Sequence, residues 1–300
     1  MTPPAAAPPG LEAGYARLRG GDPVAVRGGA ALIWVEGPDA GSFLQGLLSN
    51  DVAALSAGGS CPALLLDAKG HVRADMRVRH DGGGAYTVMV APALAEEVAG
   101  ALHRYHFSED LEILGPEAVE LLTVGGGVTV PEGMAEISVP GPLPGTQDVV
   151  VDDAAAALAA LGVEEAPREA LELARIAAGV PLVGVDTGPA TLVQEAGLEA
   201  SAVSFSKGCY LGQETVARIA FRGRVNRALR GIALAAPAPA GAALTHGGRE
   251  VGRLTSTGVA PDLGPIGLAI VRTEVAPGDE IVVEGSAAPG RVVTLPFAAR

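Results

Sequence analysis

The stretch Lys207-Gly208-Cys209-Tyr210-Leu211-Gly212-Gln213-Glu214 is the segment from which the rest of the chain is best interpreted. It contains one of only two cysteines, flanked by two glycines and preceded by a lysine. A thiolate is the reactive form of cysteine, and nearby positive charge or helix N-terminal amides lower its pKa. Because a helix is predicted from Gly212 to Ile219, we interpret the stretch as a functional loop. A buried, inert cysteine in a turn is the alternative that these residues leave open.

Cys209 and Lys207 are the predicted catalytic residues of this loop. A protease-type cysteine nucleophile needs a general base, and no motif ties any of the five histidines to Cys209. A hydrolase is therefore not expected. The chain has no CxxC motif, Cys/His cluster or HExxH motif, so we expect no metal or iron–sulfur site built by this chain alone. Cys61 is remote in sequence, and free thiols in a reducing cytoplasm fit better than a disulfide.

A run of arginines follows the loop in an otherwise acidic chain. The formal net charge is −13, which argues against direct nucleic-acid binding. Between residues 200 and 249, however, seven basic residues stand against the single acid Glu214, a local net charge of +6. Such a patch can hold an anion such as a polycarboxylate or phosphate. The alternative is a set of solvated arginines that pair with the acidic remainder of the chain.

The order of the predicted elements favours an α+β fold with antiparallel sheets. Residues 1–21, rich in proline and alanine, are predicted to form a disordered tail. Residues 22–226 are predicted to form two α+β subdomains, beginning with two short strands around a turn at Gly28-Gly29. Residues 227–300 carry five short apolar strands at regular spacing, which predicts a small all-β barrel or sandwich. No GxGxxG motif or P-loop follows any strand.

Cellular location is predicted from what the chain lacks. No apolar run reaches the ~18 residues of a membrane span. The N-terminus has neither the basic region nor the apolar core of a signal peptide. A cytoplasmic protein without membrane contact is therefore expected.

Asp75 lies in the predicted strand His71–Arg79, where apolar and polar residues alternate. The alternation places this carboxylate on a polar face among arginines. There it can accept hydrogen bonds from the N–H groups of a heterocycle. The alternative is a surface ion pair, which contributes little to stability.

Four stretches resemble one family. Lys207–Glu214 is similar to the K-G-C-[YF]-x-G-Q-E signature of the YgfZ-type folate-binding proteins, which are relatives of the glycine-cleavage T-protein. Phe43–Asp51 resembles the family's F-L-Q-G-x-x-[ST]-x-D motif, and Leu65–Gly70 resembles its L-x-D-[AP]-[KQ]-G turn. The segment Arg175–Leu198 resembles its R-I-x-x-G-x-P…D…[PQ]-x-E-x-x-L pattern. The resemblance spans about residues 24–296.

The resemblance implies an α+β, T-protein-like fold: a multi-domain ring around a central folate channel, with a C-terminal all-β barrel. It implies tetrahydrofolate or a folate derivative as the ligand. Asp75 occupies the place of an aspartate that contacts the pteridine, and Glu195 corresponds to an acid that recognises the pterin ring. The remaining residues that we assign to the folate site, with an arginine on the glutamate tail, are Tyr210, Gln213, Arg218, Arg222 and Arg224.

The resemblance also implies a role in supporting iron–sulfur enzymes, including radical enzymes that modify tRNA, with Cys209 as the functional thiol. Iron–sulfur enzymes or assembly proteins are the expected transient partners, and the chain itself is expected to be a monomer. The Cys209 motif is absent from true aminomethyltransferases, which argues against glycine cleavage as the main activity. Two alternatives stay open: a folate-dependent one-carbon (aminomethyl) transferase that depends on Asp75, and a module in which folate is structural and Cys209 inert. Whether the chain catalyses a reaction is left open.

Overall fold

The structure, a computed structural model, describes residues 8–286 and 288–298. Its larger sheet has the strand order β2-β3-β4-β1-β5-β7-β6, and β8 pairs in parallel with β1. The other pairs of this sheet are antiparallel. The strands are β1 (Val24–Glu36), β2 (Ser60–Leu66), β3 (Val72–Gly82), β4 (Ala85–Val90), β5 (Glu112–Gly125), β6 (Ser138–Pro140), β7 (Gln147–Val151) and β8 (Glu165–Ala166).

Helices pack against this sheet and connect it to the C-terminal part. Strand β3 alternates as predicted, so Val72, Ala74, Met76 and Val78 are buried in the core shared with the helices Ala40–Leu47 and Ala95–Tyr105. The predicted α+β class is confirmed. The helices are α1 (Leu11–Gly20), α2 (Ala40–Leu47), α3 (Ala95–Tyr105), α4 (Ala154–Leu161), α5 (Arg168–Ala178), α6 (Val193–Ala196), α7 (Glu199–Ala202) and α8 (Gln213–Arg222), and a 3-10 turn spans Pro92–Leu94.

The N-terminal segment corrects one prediction. Residues 8–21 are not a disordered tail, because α1 occupies Leu11–Gly20. Tyr15 is buried on this helix and its hydroxyl donates to Asp262 Oδ1 at 2.7 Å, while Gly14 lies against Ala166. Only two residues of the helix are buried, so its apolar pattern is weak in sequence. The predicted tail residues 1–7 lie outside the described residues.

Strand β1 corrects a second prediction. The turn expected at Gly28-Gly29 is absent, and β1 runs unbroken through 13 residues. Gly28 pairs with Leu121 and Gly29 with Glu120 on β5, so both glycines continue the ladder in extended conformation. A pair of glycines reads locally as a turn, but here the long partner strand β5 determines the conformation.

The C-terminal strands close into a barrel in the order β10-β11-β12-β9-β14-β13. The predicted all-β barrel is thus confirmed, with one more strand than the five expected. The extra strand is β10, whose four residues are too few to show a clear alternation. The barrel strands are β9 (Arg227–Ala233), β10 (Ala243–His246), β11 (Arg249–Ala260), β12 (Gly264–Arg272), β13 (Glu280–Val283) and β14 (Gly290–Val293).

A buried ion pair fixes the barrel against α5. The Arg175 guanidinium donates to Asp186 Oδ2 at 2.7 Å and to Ser256 Oγ of β11 at 2.7 Å. Asp186 in turn accepts from the hydroxyls of Thr255 and Ser256. Since each charge is both paired and hydrogen-bonded, the burial of this cluster is compensated. No helix among the described residues is long and apolar enough to span a membrane.

Candidate functional site

The loop that carries Cys209 is held in place by Lys207. This side chain is 8% exposed, and its Nζ donates to the carbonyl oxygens of Gln45 (2.6 Å), Leu48 (2.6 Å) and Asn50 (3.0 Å). These carbonyls lie at and just beyond the C-terminal end of α2, where the helix dipole favours a cation. Burial lowers the pKa of Lys207 to about 8, against the opposing effect of Asp51 and Cys61.

Lys207 therefore has a structural task, and the catalytic one stays a prediction. Its ammonium is committed to backbone carbonyls of the Phe43–Asp51 motif, so it joins that motif to the cysteine loop. In the sequence, the Phe43–Asp51 motif was the feature that could have indicated this contact. Gln45 supports the same turn, because its side-chain oxygen accepts from the amides of Val52 and Ala53.

The turn after β2 contacts the other side of the loop. Gly212 has φ 81° and lies against this turn so closely that a Cβ atom on it would be 2.5 Å from the Asp67 carbonyl oxygen. A Cβ atom on Gly70 of the turn would be 3.0 Å from the Thr215 Cβ and 3.3 Å from the Gly212 carbonyl oxygen. The turn is shaped by Asp67, whose Oδ1 accepts from the amides of Lys69 and His71.

The segment that precedes the loop is attached to the helix that follows it. The Gln194 side chain donates to the Val216 carbonyl of α8 at 2.9 Å. Buried Ser49 donates to the Ala202 carbonyl at 2.6 Å and accepts from the Leu64 amide. All four motif stretches found in the sequence thus meet around residues 207–216.

The two cysteines have opposite environments. Cys209 is a free thiol and exposed, whereas Cys61 is half-buried in β2. Burial raises the pKa of Cys61 to about 11, so this thiol stays protonated at neutral pH. Of the two sulfurs, Cys209 is the one that a partner molecule can reach.

A cavity of about 450 Å³ lies between β2, β3, the loop Pro140–Thr146 and the segments around Pro181 and Leu198. A smaller cavity of about 190 Å³ adjoins it, and both share Asp75, Met76 and Arg77 of β3. Prolines, leucines and glycines form much of the larger wall. The pair therefore offers a mainly apolar space with a few charged groups, as small-molecule sites do.

Asp75 is a half-buried carboxylate that lines both of these cavities. Burial raises its pKa, with the Arg77 charge acting in the opposite direction. Among the described residues no other side chain donates a hydrogen bond to its carboxylate, and Arg77 donates instead to the Pro140 carbonyl at 2.6 Å. A half-buried carboxylate to which no other side chain donates is a candidate for ligand binding.

Sequence reasoning missed two charged residues of the smaller cavity. Asp148 on β7 is buried, accepts from the Thr123 hydroxyl at 2.7 Å, and has a pKa that burial raises. Arg77 lies two residues after Asp75 on the same face of β3. Its positive charge opposes the rise in the pKa of both carboxylates, Asp75 and Asp148. The alternation of polar residues in β3 could have indicated Arg77 from the sequence, whereas no sequence pattern indicated Asp148.

Glu195 does not line the cavities around Asp75, and its place in the folate site stays a prediction. It is the third residue of a capping arrangement on α6, where its Oε2 accepts from the Leu192 amide at 3.1 Å. It lines a different cavity, of about 550 Å³, beside the barrel. A Glu three residues into a helix commonly takes this capping role.

The predicted arginines are likewise not in the cavities around Asp75. Arg218, Arg222 and Arg224 are exposed on or just after α8, and none lines the larger or the smaller cavity. Tyr210 is buried, with its ring 5.1 Å from Lys207 Nζ, and burial raises its pKa to about 12. Gln213 begins α8 and its side chain lies 3.5 Å from the Gly208 carbonyl. Both therefore support the loop from within.

No group of three His, Cys, Asp or Glu side chains in the described part of the chain is arranged to hold a metal ion. The chemistry that the site itself offers is that of one accessible thiol and two cavity carboxylates, Asp75 and Asp148.

Comparison with known proteins identifies relatives of the barrel and of the whole fold. The profile of the glycine cleavage T-protein C-terminal barrel domain matches residues 227–298. A solved structure of the glycine cleavage system aminomethyltransferase T from Bartonella henselae has a TM-score of 0.82 over 97% of this chain and 90% of that one, at 22% identity. That likeness confirms the predicted T-protein-like fold.

Curated relatives extend the likeness to sequence. A chloroplast protein of Arabidopsis thaliana, named as a candidate transferase, is 37% identical over 132 residues, which span 44% of this chain and only 30% of that protein. The tRNA-modifying protein YgfZ of Klebsiella pneumoniae is 31% identical over 225 residues, 66% of this chain and 68% of that protein. The chain therefore belongs to the YgfZ family of proteins, built on the aminomethyltransferase T fold.

Proposed function

We propose that this protein is a folate-binding accessory factor that supports the assembly or repair of iron–sulfur clusters in client enzymes, acting through the Cys209 thiol. The observation that carries the proposal is the position of Cys209. Its loop is fixed by Lys207 and Gly212 to two other motif stretches, yet its sulfur is exposed. Rigid support of an accessible thiol suits a thiol that must meet a partner in a defined orientation.

The thiol acts with ligands that come from elsewhere. One cysteine is too few to hold a cluster, and the described residues offer no cluster of further ligands. A cluster or sulfur species in transit would therefore be shared between Cys209 and groups of the client. Clients that modify tRNA fit the names of the YgfZ relatives.

The surface beside Cys209 is suited to a protein client. Phe205 and Phe221 are 43% and 71% exposed and contact each other edge to face, with ring centroids 5.8 Å apart. Exposed Arg218, Arg222 and Arg224 lie on or just after α8, the helix that carries Phe221, and none of the three has an ion-pair partner in the described chain. Exposed aromatics with arginines are typical of interaction sites, and the charge favours an acidic client surface.

The cavities around Asp75 fit tetrahydrofolate or a folate derivative. A pterin ring is planar and presents N–H groups, from which a carboxylate can accept hydrogen bonds. The larger cavity has the mainly apolar wall that a flat ring needs. Asp75 would bind the ring's N–H groups, and Arg77 would stand beside them. When bound, the folate would supply a one-carbon carrier.

Titration calorimetry with tetrahydrofolate and its formyl and methylene forms tests the ligand. We expect wild type and Cys209→Ala to bind equally and Asp75→Asn to bind at least tenfold more weakly, about 1.4 kcal/mol. Asp152→Asn, at an exposed position outside the cavities, is the matched control. If none of the folate forms binds to the wild type, the folate part of the proposal is wrong.

The second candidate is a tetrahydrofolate-dependent aminomethyl transferase, favoured by the aminomethyltransferase fold and by the Asp75 cavity. It predicts formation of methylenetetrahydrofolate from an aminomethyl donor. That turnover would depend on Asp75 and be indifferent to Cys209→Ser. Turnover of this kind in a purified-protein assay would favour the second candidate over the first.

A further inference from the structure

The cavity of about 550 Å³ beside the barrel is distinct from the cavities around Asp75, with which it shares no lining residue. It lies between the loop Asp186–Glu195 and the barrel strands β9, β11 and β12. The buried ion pair described above stands between the two regions: Arg175 lines the smaller Asp75 cavity and Asp186 lines this one. It is thus a second ligand-sized space that the proposed folate site does not use.

Two arginines of this cavity face each other across the barrel sheet. Arg227 begins β9 and Arg272 ends β12, and the two are direct antiparallel partners. Direct partners project from the same face of a sheet, and like charges in that position are unfavourable. Both side chains line the cavity, so the two like charges repel each other at the cavity wall.

Neither arginine is neutralised within the described chain. Neither guanidinium has an ion pair or a hydrogen bond there, whereas every carboxylate that lines the cavity is already engaged. Asp186 binds Arg175, Glu195 binds the Leu192 amide, and Glu250 pairs with Arg253. Two guanidinium groups without a carboxylate partner are therefore left at the cavity wall, against one carboxylate charge, that of Glu195, which an amide does not neutralise.

We propose that this cavity binds a small phosphorylated molecule, with the phosphate held between Arg227 and Arg272. A phosphomonoester carries −1.5 to −2 charge near neutral pH, which matches two guanidinium groups better than a single carboxylate does. The fork of N–H donors on arginine also suits phosphate oxygens. The rest of the ligand would occupy the space along Ile270 and the Gly188–Thr191 loop.

The test follows the thermal unfolding of the full chain in inorganic phosphate, glutarate and chloride at matched ionic strength. We expect tens of millimolar phosphate to raise the Tm of wild type above that in chloride by a few degrees. The extra shift should disappear in Arg272→Gln and in Arg227→Gln. It should persist in Arg168→Gln, a matched variant at an exposed position of α5 outside the cavities. Non-specific salting of the surface would act on all four proteins alike.

A second readout is independent of the ligand. In low salt without phosphate, removal of one of two facing like charges relieves repulsion, so Arg272→Gln should unfold at the same or a higher temperature than wild type. This shows that loss of the phosphate shift is not loss of the fold. The proposal is overturned if wild type shows no phosphate shift, or if both glutamine variants keep it. It is also overturned if glutarate stabilises wild type and phosphate does not, since the site would then be selective for carboxylates.

Discussion

Lys207 illustrates, at the scale of one residue, how a charge near a cysteine can serve the fold. Its ammonium is buried among three carbonyl oxygens at the end of α2. An ammonium has three N–H donors and no acceptor, so each of its protons is used. The charge thus positions the loop whose thiol acts, and the activity attributed to the thiol rests on Cys209 itself.

Lys207→Met keeps the length of the side chain and removes its donors. We expect a loss of about 2 kcal/mol in the free energy of unfolding, because carbonyls that accepted charged hydrogen bonds lose their partner in a buried place. Urea denaturation measures this. Lys69→Met, at the chain's other lysine, is the control and should change stability by less than about 0.5 kcal/mol, since that side chain is exposed. Equal losses in both variants would contradict the role given to Lys207.

Asp75 should oppose stability when no ligand is bound. Burial raises its pKa in the folded state above the ~3.9 of an unfolded chain. The folded state therefore holds the proton more tightly, and this contribution, complete below about pH 4, is lost as the pH rises through the folded pKa. Asp75→Asn should thus be more stable than wild type at pH 7, by about 1 kcal/mol, with the difference vanishing near pH 4. Denaturation at several pH values checks it; a variant less stable than wild type at pH 7 would refute it.

At the scale of elements, the site depends on the contact between the turn Asp67–Gly70 and the start of α8. Gly212 has a left-handed φ of 81° and no room for a Cβ atom, so glycine is required there on both counts. Gly208, one residue before Cys209, has open space around it and no such φ. The two glycines that flank the cysteine therefore differ in what they do.

Gly212→Ala should lower the free energy of unfolding by about 2 kcal/mol, from the left-handed backbone and the clash with the Asp67 carbonyl. The displaced loop should also change the rate at which Cys209 reacts with a thiol reagent. Gly208→Ala is the control on the same loop and should leave stability within about 0.5 kcal/mol of wild type. Chemical denaturation and thiol-labelling rates measure the two effects. If Gly208→Ala were the more damaging of the pair, the contact would be misassigned.

Elements with a clear pattern were predictable from the sequence, and those set by distant partners were not. The alternation of apolar and polar residues predicted the buried face of strand β3, and the regularly spaced apolar runs predicted the barrel. The unbroken course of β1 through Gly28 and Gly29 depends on β5, and α1 depends on contacts with Asp262 and Ala166. In the site, the motif identified Cys209, while the separation of Glu195 from Asp75 is a result of how the loop before α6 folds.

At the scale of the whole molecule, the Arg175–Asp186 pair joins α5 to the barrel. Its side chains are 6% and 0% exposed, and Arg175 reaches Ser256 of β11 as well. The same pair separates the Asp75 cavities from the cavity with the facing arginines. This buried contact thus adds to the apolar packing of α5 against the barrel and lies between the two proposed ligand sites.

Arg175→Met should destabilise the protein by about 3–5 kcal/mol, because it leaves the Asp186 carboxylate buried without its partner. We expect the barrel to unfold in a separate, earlier step in calorimetry. Arg168→Met, an exposed position on the same helix, is the control and should have little effect. A single transition at the wild-type temperature for Arg175→Met would show that the pair does not couple the two parts.

The central claim is that the protein supports iron–sulfur enzymes through the Cys209 thiol. It is tested most directly in cells that lack their own YgfZ-type protein, by measuring the activity of an iron–sulfur enzyme that modifies tRNA after expression of each variant at equal level. Wild type and Cys61→Ser should restore that activity, because Cys61 is half-buried and protonated. Cys209→Ser, with the same fold and the same folate binding, should not. Full restoration by Cys209→Ser would contradict the account.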